Sequence, residues 1–455
     1  MILKLEIGPQ HIINTMKTFR IGGIYPTENK LTAKNPTMEA SLPERAVFPL
    51  VQHIGAPAIP VVGKGDIVKV GTLIAEADGV MSAPIYSSVS GTVAAVGTAV
   101  DESGSSNPAI IIDVEGDEWE PSIDRSNNLE TLAQHPELTP EEVSARIRWA
   151  GVAGMSQTGL PTHVKLVPPT GVKFDSVILN GVESEPYATA DYRLMMERAD
   201  EILVGLELLM FAAEAQSGYV AIGADKPSAI ALMQQKVAND SIEIVSLKPK
   251  YPQGCERQLT DAVLNRQMPS APTATPADVG AVVVSVATAF AVYEAVMKNK
   301  PLVERYVTVS GKEMAHPANF LARIGTPIIH LIDACGGIPV SDNKVLSGGP
   351  MTGRALSCLD APVIKSTYCI TIMSGREALR HTPKPCLRCA KCVDVCPMGL
   401  EPYLLARLAM QQKWKQAKRE HVLSCMECGC CQFACPSYRP LLDYIRIAKV
   451  ALIEK

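Results

Sequence analysis

The stretch "FDSVILNGVESEPYATADYRLMMERADEILVGLELLMFAAEA", Phe174 to Ala215, decides the fold. It reads as a short apolar strand ending at Gly181, a polar turn, and a long helical run from Asp191. The same alternation continues on both sides. Downstream, "YVAIGAD" is a strand, "KPSAIALMQQKVAN" a helix opened by Pro227, and "IEIVSLKP" another strand. Upstream, "LTPEEVSARIRWAG" starts a helix with Thr139 as N-cap, Pro140 in the first turn and Glu142 three residues on. Strands alternating with helices predict an α/β layer with a largely parallel sheet over residues 139–301. The apolar run "VGAVVVSVATAFAVY" (Val279 to Tyr293) falls short of the ~20 residues a spanning helix needs. It reads as a buried strand, a turn around Ser285 and a helix start, so the chain is expected to carry no transmembrane helix of its own.

The flanks differ in texture. From about 41 to 115 the text is rich in Val and Ile and punctuated by Gly63, Gly65, Gly71, Gly79 and Gly91, the pattern of a compact β-barrel or sandwich. It resembles the barrel-sandwich fold of biotinyl and lipoyl carrier domains, and residues 1–117 form this N-terminal region. Those carriers present a lysine at the tip of the central hairpin, whereas "DGVMSAPIYS" has none. A structural or docking role is expected instead of a swinging arm. Residues 118–138 are polar and irregular, a linker. Residues 302–365 read as a small mixed, β-grasp-like domain. Residues 366–455 read as an α-helical domain in which Leu441, Ile445, Ala448 and Leu452 share one face of the last helix. The expected fold class is multidomain α/β and β with a helical C-terminal module.

Nine of the thirteen cysteines crowd into 386–435. "CLRCAKCVDVCP" and "CMECGCCQFACP" repeat one outline 39 positions apart, C-x2-C-x2-C-x3-C-P. Three thiolates at this spacing wrap three corners of an iron–sulfur cubane, and in two-cluster ferredoxins the fourth ligates the other cluster. The reciprocal assignment is Cys386, Cys389, Cys392 and Cys435 for one [4Fe-4S] cluster, and Cys425, Cys428, Cys431 and Cys396 for its partner. Structural zinc prefers spaced pairs of cysteines over two triplets with Cys-Pro endings. Cys430 is a surplus thiol that competes with Cys431 as the third ligand of its run; the C-x2-C-x2-C spacing favours Cys431 and leaves Cys430 as a packed free thiol. A net charge of −4 with no long basic run argues against nucleic-acid binding. The first twenty residues lack the layout of a signal peptide, and a disulfide framework is not expected without export.

Cubanes carry electrons singly, so a nicotinamide donor calls for a flavin between hydride and wire. Here a resemblance becomes specific. "GVAGMSQTGLPTHVKL" (Gly151 to Leu166), "NGVESEPYATADYRLM" (Asn180 to Met195), "YPQGCERQL", "SVATAFAV" and the twin cysteine runs look like the C subunit of the Rnf complex, the ion-translocating ferredoxin:NAD oxidoreductase. "GGIYPTENK" and "SGGPMTG" fit as well, and the central part is similar to the flavin-bearing NADH subunit of respiratory complex I. The resemblance covers nearly the whole chain. It implies FMN held by the glycine-rich loop and the "NGVESEPY" turn, with NAD(H) stacked over it. Gly151, Gly154 and Gly159 would line the loop, and Lys165 would meet the flavin phosphate as a point charge. Asn180 and the catalytic-site acids Glu183 and Glu185 would hydrogen-bond flavin or nicotinamide ribose, and Thr288 would touch the phosphate side.

The resemblance further implies membrane-bound Rnf subunits as partners, ferredoxin reached through the complex, and a peripheral place on the cytoplasmic side of the membrane. The loop departs from the family's G-M-G-G pattern at Ser156 and Gln157. Ser285 stands where asparagine is common, and Cys255 where glycine or serine is usual. Two rival readings follow: an iron–sulfur wire with a degenerate nucleotide site, and a cobalamin-reductase-like flavoprotein. The N-terminal region speaks against the second.

Overall fold

The computed structural model describes residues 16–155, 159–270, 273–339 and 343–453. Ser156 and Gln157 lie outside them. At the centre, four parallel strands run in the order Ile242–Leu247, Ser217–Gly223, Ser176–Gly181, Ala281–Ser285. The chain builds outward from Ser176–Gly181 in one direction, then returns to add Ala281–Ser285 on the other side. That reversal leaves a crevice beyond the C-terminal strand ends, the place where open α/β sheets bind ligands.

The apolar strands are covered by helices whose starts the sequence encodes. Thr139 and Glu142 close a reciprocal capping box on Pro140–Trp149: Thr139 N–H donates to Glu142 Oε2 (2.9 Å) and Glu142 N–H to Thr139 Oγ1 (3.3 Å). Ser285 caps Val286–Met297 by accepting from Thr288 N–H at 3.1 Å. This helix crosses Ala199–Ala212 so closely that a methyl on Gly205 would stand 2.0 Å from the Ala289 carbonyl oxygen.

The helical run from Asp191 to Ala215 is two helices, Ala190–Glu197 and Ala199–Ala212. Arg198 leaves helical geometry (φ −135°, ψ 40°) and pairs with Glu201, while Asp200 and Glu201 sit favourably in the restarted first turn. The segment joining the thiol runs is likewise broken into Pro402–Met410 and Trp414–Arg419, with Gln412 at φ 53°. Among the described residues no helix is long and apolar enough to cross a membrane.

The N-terminal module is the expected barrel-sandwich. One sheet orders Arg45–Pro49, Ser106–Val114, Gly91–Val100 and Ile67–Val68; the other orders Ile59–Pro60, Leu73–Glu76 and Ile85–Tyr86. Phe48, Ile74, Ile85, Ile110 and Ile112 fill its core. The third module is a six-stranded sheet with the helix Ile328–Ala334 packed on it. Two of its inner strands, Glu304–Ser310 and Cys369–Ser374, run parallel, so the sheet continues past residue 365.

Two segments tie the modules together. The polar stretch after residue 117 is held rather than loose: Trp119 bridges to Val70, and Lys298 Nζ reaches Asp124 at 2.6 Å. Residues 17–39 run along the other three modules in turn. Lys17 extends the central sheet beside Leu247, and Gly23 N–H donates to Val395 O (2.9 Å) in the thiol-rich module. Ile24 pairs with Tyr251, and Met38–Glu39 becomes an edge strand beside Phe320 and Leu321.

Candidate functional site

A cavity of about 450 Å³ fills the crevice. Gly154, Lys165, Asn180, Glu183, Glu185 and Thr288 all line it. Gly151 and Gly159 are not among its lining residues. Gly151 (φ 67°) faces the barrel, where a methyl would meet Pro84 O at 2.4 Å, and Gly159 packs over His53 and Ile54. Their backbone freedom serves the contact between modules.

The upper edge joins the glycine-rich loop to a helix start. Met155 N–H donates to Thr288 Oγ1 at 3.3 Å, and Thr288 Oγ1 lies 3.0 Å from Ser285 Oγ. The N-terminus of Val286–Met297 thus opens on the cavity, a partial positive charge suited to a phosphate. Lys165 is in place but engaged, with Nζ 2.6 Å from Glu256 Oε1 and 3.0 Å from Val283 O. Asn180 Nδ2 donates to Gly254 O (2.7 Å), which fixes the loop before Cys255. A methyl on Gly254 would point between Ser184 and Asn180, so this wall is kept low by the missing side chain.

The lower edge is the turn from Asn180 to Ala188. Glu183 holds a left-handed backbone (φ 46°) and accepts Asp191 N–H on Oε1 at 2.8 Å. Its Oε2 is buried with no protein donor among the described residues, an acceptor left for a ligand. Glu185 is buried, accepting from Met351 N–H (3.2 Å) and Thr352 Oγ1. A methyl on Gly349 would strike its carboxylate, so "SGGPMTG" is shaped around Glu185. Burial pushes the Glu185 carboxyl above its ordinary range. Beneath the turn, Lys30 of "GGIYPTENK" donates to the carbonyls of Glu183 (2.7 Å), Glu185 (2.9 Å) and Ala188 (2.8 Å). Both motifs stand out in the sequence, but what each one holds does not.

Burial, and then the Glu183 charge, push the cavity-lining Asp191 carboxyl up to about 7. An acid raised in this way favours the fold in its protonated form. That stability is fully present below the ordinary value of 3.8 and is lost as pH rises through about 7. Asp191→Asn is therefore expected to resist denaturant better than the parent at about pH 8 and no better at about pH 3.5. Equal unfolding curves at both pH values would contradict this.

The opposite wall comes from the C-terminal module: Met398, Leu423, Ser424, Cys425, Met426 and Lys449 line the same cavity. Just behind, Cys396, Cys425, Cys428, Cys430 and Cys431 line one recess with apolar Leu400, Leu405 and Ile445. The last cysteine of the first run is thus brought to the triplet of the second. Cys392 and Cys435 pack on the same patch beside Cys431 and Leu441, and Cys386 is near enough to Cys392 to act on its charge. Cys389 is exposed. Cys430 is fully buried in an apolar cluster with Ile24, Tyr251 and Cys428.

The two runs also repeat in backbone. Arg388 and Ala390 (φ 55° and 59°) are matched 39 positions on by Glu427 and Gly429 (φ 59° and 77°), and Gly399 by Tyr438 (φ 63° and 51°). Left-handed residues between the thiols curl the chain into nests of N–H groups of the kind that cradle iron–sulfur clusters. Residues bearing side chains tolerate that local strain only where something offsets it. Arg388 N–H already points at Cys386 Sγ and Leu400 N–H at Cys396 Sγ, both at 3.4 Å. Burial pushes the Cys425 thiol up to about 12, so bare thiolates are disfavoured there until a cation replaces the protons. The recess that Cys396 shares with the second run suits the thiolate chemistry of a cubane, and the repeated backbone of the first run suits a second one.

A nucleotide-type crevice backed by an iron–sulfur dicluster module defines an electron-transfer oxidoreductase. Family models match in chain order: the RnfC barrel sandwich hybrid domain over 17–117, the Nuo51 FMN-binding domain over 147–294, the SLBB domain over 306–355 and a 4Fe-4S dicluster domain over 378–436. The chain is 41% identical over 437 residues to the C subunit of the proton-translocating ferredoxin:NAD(+) oxidoreductase complex of Clostridium ljungdahlii, a match covering 95% of this chain and 94% of the relative. It is 38% identical over 441 residues to the C subunit of the Na(+)-translocating ferredoxin:NAD(+) oxidoreductase complex of Acetobacterium woodii (96% and 98% covered). It is also 38% identical over 402 residues to the C subunit of the ion-translocating oxidoreductase complex of Rhodobacter capsulatus (87% and 76% covered). The chain belongs to the family of Rnf-complex C subunits.

Proposed function

We propose that this chain is the peripheral subunit of a membrane-bound Rnf-type complex that exchanges electrons between NAD(H), FMN and two [4Fe-4S] clusters. It sits on the cytoplasmic side, its partners are the membrane subunits, ferredoxin is reached through them, and the complex couples the flow to ion translocation. One observation carries the reading. Met398, Cys425 and Met426 line both the crevice and the thiol recess, so a redox group in one is separated from a cluster in the other by a single layer of side chains.

The residues divide the work. Ser285, Thr288 and the start of Val286–Met297 would take the phosphate of FMN, and Lys165 the neighbouring negative charge. Asn180, Glu183 and Glu185 would orient the ring and ribose hydroxyls, Glu183 through its free oxygen. Cys396, Cys425, Cys428 and Cys431 would hold the cluster nearer the crevice, and Cys386, Cys389, Cys392 and Cys435 the farther one. When bound, FMN supplies the conversion between a two-electron hydride and the one-electron steps of the cubanes. Met426, Leu423 and Met398 keep the wall between them apolar, which excludes water from the path.

Chain purified without oxygen is expected to contain about eight irons and FMN, and NADH should bleach the flavin band and then the clusters. Iron and sulfide with neither flavin nor an NADH response would replace this reading with a plain iron–sulfur wire.

A further inference from the structure

Two buried basic side chains grip the glycine-rich segment at its two ends. Lys365 is 1% exposed, and its Nζ donates to Gly151 O at 2.8 Å and to Pro84 O at 2.7 Å. Arg305, also 1% exposed, lies on the strand Glu304–Ser310 and donates from Nη2 to Met155 O at 2.6 Å. Neither lines the cavity. Burying such groups costs several kcal/mol, offset where their donors are used. Lys365 and the Arg305 Nη2 group donate to backbone carbonyls of the segment that opens the crevice, whereas Arg305 Nε has no protein acceptor among the described residues.

The barrel braces the same segment from behind. Ile54 N–H donates to Gly159 O at 3.0 Å, and the Pro84 carbonyl shares the Lys365 side chain with Gly151. Pro84 belongs to the hairpin "DGVMSAPIYS", which in carrier domains would be a free tip. Here that tip is immobilised: His163 Nε2 lies 3.0 Å from Val80 O, and Tyr86 OH donates to Trp149 O at 2.6 Å. The lysine that carriers place on the hairpin is absent, and a lysine distant in sequence reaches the hairpin instead.

We propose that Lys365 and Arg305 are positioning residues for the cofactor: they clamp residues 151–155 between the barrel and β-grasp modules and so pre-set the phosphate end of the crevice. This rests on the flavin reading above. Pre-setting a loop raises affinity by removing the cost of ordering it on binding. The clamp therefore acts on cofactor affinity and loop mobility, and leaves the thiol-rich module untouched.

The test uses the full chain made without oxygen, stripped of flavin, as Lys365→Met, Arg305→Met and Arg305→Lys. Hydrogen exchange of peptides covering 151–155 is measured first, with no flavin present, and FMN affinity second. The clamp predicts exchange faster by at least about tenfold in the two Met variants, near-parental exchange in Arg305→Lys, and parental iron content in all three. FMN should bind at least about tenfold more weakly to the Met variants. Unchanged exchange at 151–155 in both Met variants overturns the clamp. If exchange rises as expected but the parent itself takes up no FMN, the flavin reading fails and the clamp survives as a structural device. Should one Met variant fail to fold, the other, measured against Arg305→Lys and the parent, still decides.

Discussion

Cys396→Ala is expected to remove the cluster of the second cysteine run while sparing that of its own run. Iron should fall from about eight to about four per chain. The spectroscopic signal lost should be the one lost in Cys425→Ala, and the signal that remains should be the one lost in Cys386→Ala. The reason is spatial. Cys396 shares its recess with Cys425, Cys428, Cys430 and Cys431, while Cys392 and Cys435 pack on a patch that meets this recess at Cys431. Because the Cys396 cluster is the one behind the crevice wall, NADH-driven reduction of an external one-electron acceptor should fall by about a hundredfold or more. Retention of all iron, or loss of the same cluster as in Cys386→Ala, would refute the ligand exchange.

Lys30→Met should have the second largest effect. The side chain keeps its length and loses the three donors that hold the carbonyls of Glu183, Glu185 and Ala188. Each buried acceptor left without a partner costs about 1–3 kcal/mol, so the turn carrying both acids should reorganise. Burial already pulls the Lys30 ammonium below its ordinary range, with Lys226 adding to that pull, so the carbonyls and nearby acids are what keep it in place. FMN affinity should drop by about ten- to a hundredfold with full iron content retained. FMN binding equal to the parent's would show that the turn stands without the lysine.

What the sequence makes legible is local. The capping box at Thr139 and Glu142 and the strand–helix alternation around Ser176–Gly181 are visible because neighbours in sequence make them. The twin thiol runs are visible because their spacing is repeated. The helix breaks at Arg198 and around Gln412 are not, since no glycine or proline marks either one. Gly151 and Gly159 read as cofactor glycines, and the structure puts them at the barrel contact; a glycine records that something comes close without naming it. Lys365 and Arg305 leave no trace, and Lys30 stands in a visible motif that does not tell its role, because a basic side chain whose partners are distant backbone carbonyls is not explained by its neighbours in sequence. Those partners lie 150 or more positions away and meet only where the modules meet, which no single stretch encodes.

One geometric feature carries the rest: the crevice and the thiol recess share the wall formed by Met398, Cys425 and Met426. A crystal structure of the chain prepared without oxygen and saturated with FMN, with iron located by anomalous scattering, tests it directly. Two iron centres are expected, the one next to the flavin enclosed by Cys396, Cys425, Cys428 and Cys431. Flavin bound outside the crevice, or beside the iron held by Cys386, Cys389, Cys392 and Cys435, would contradict the shared wall.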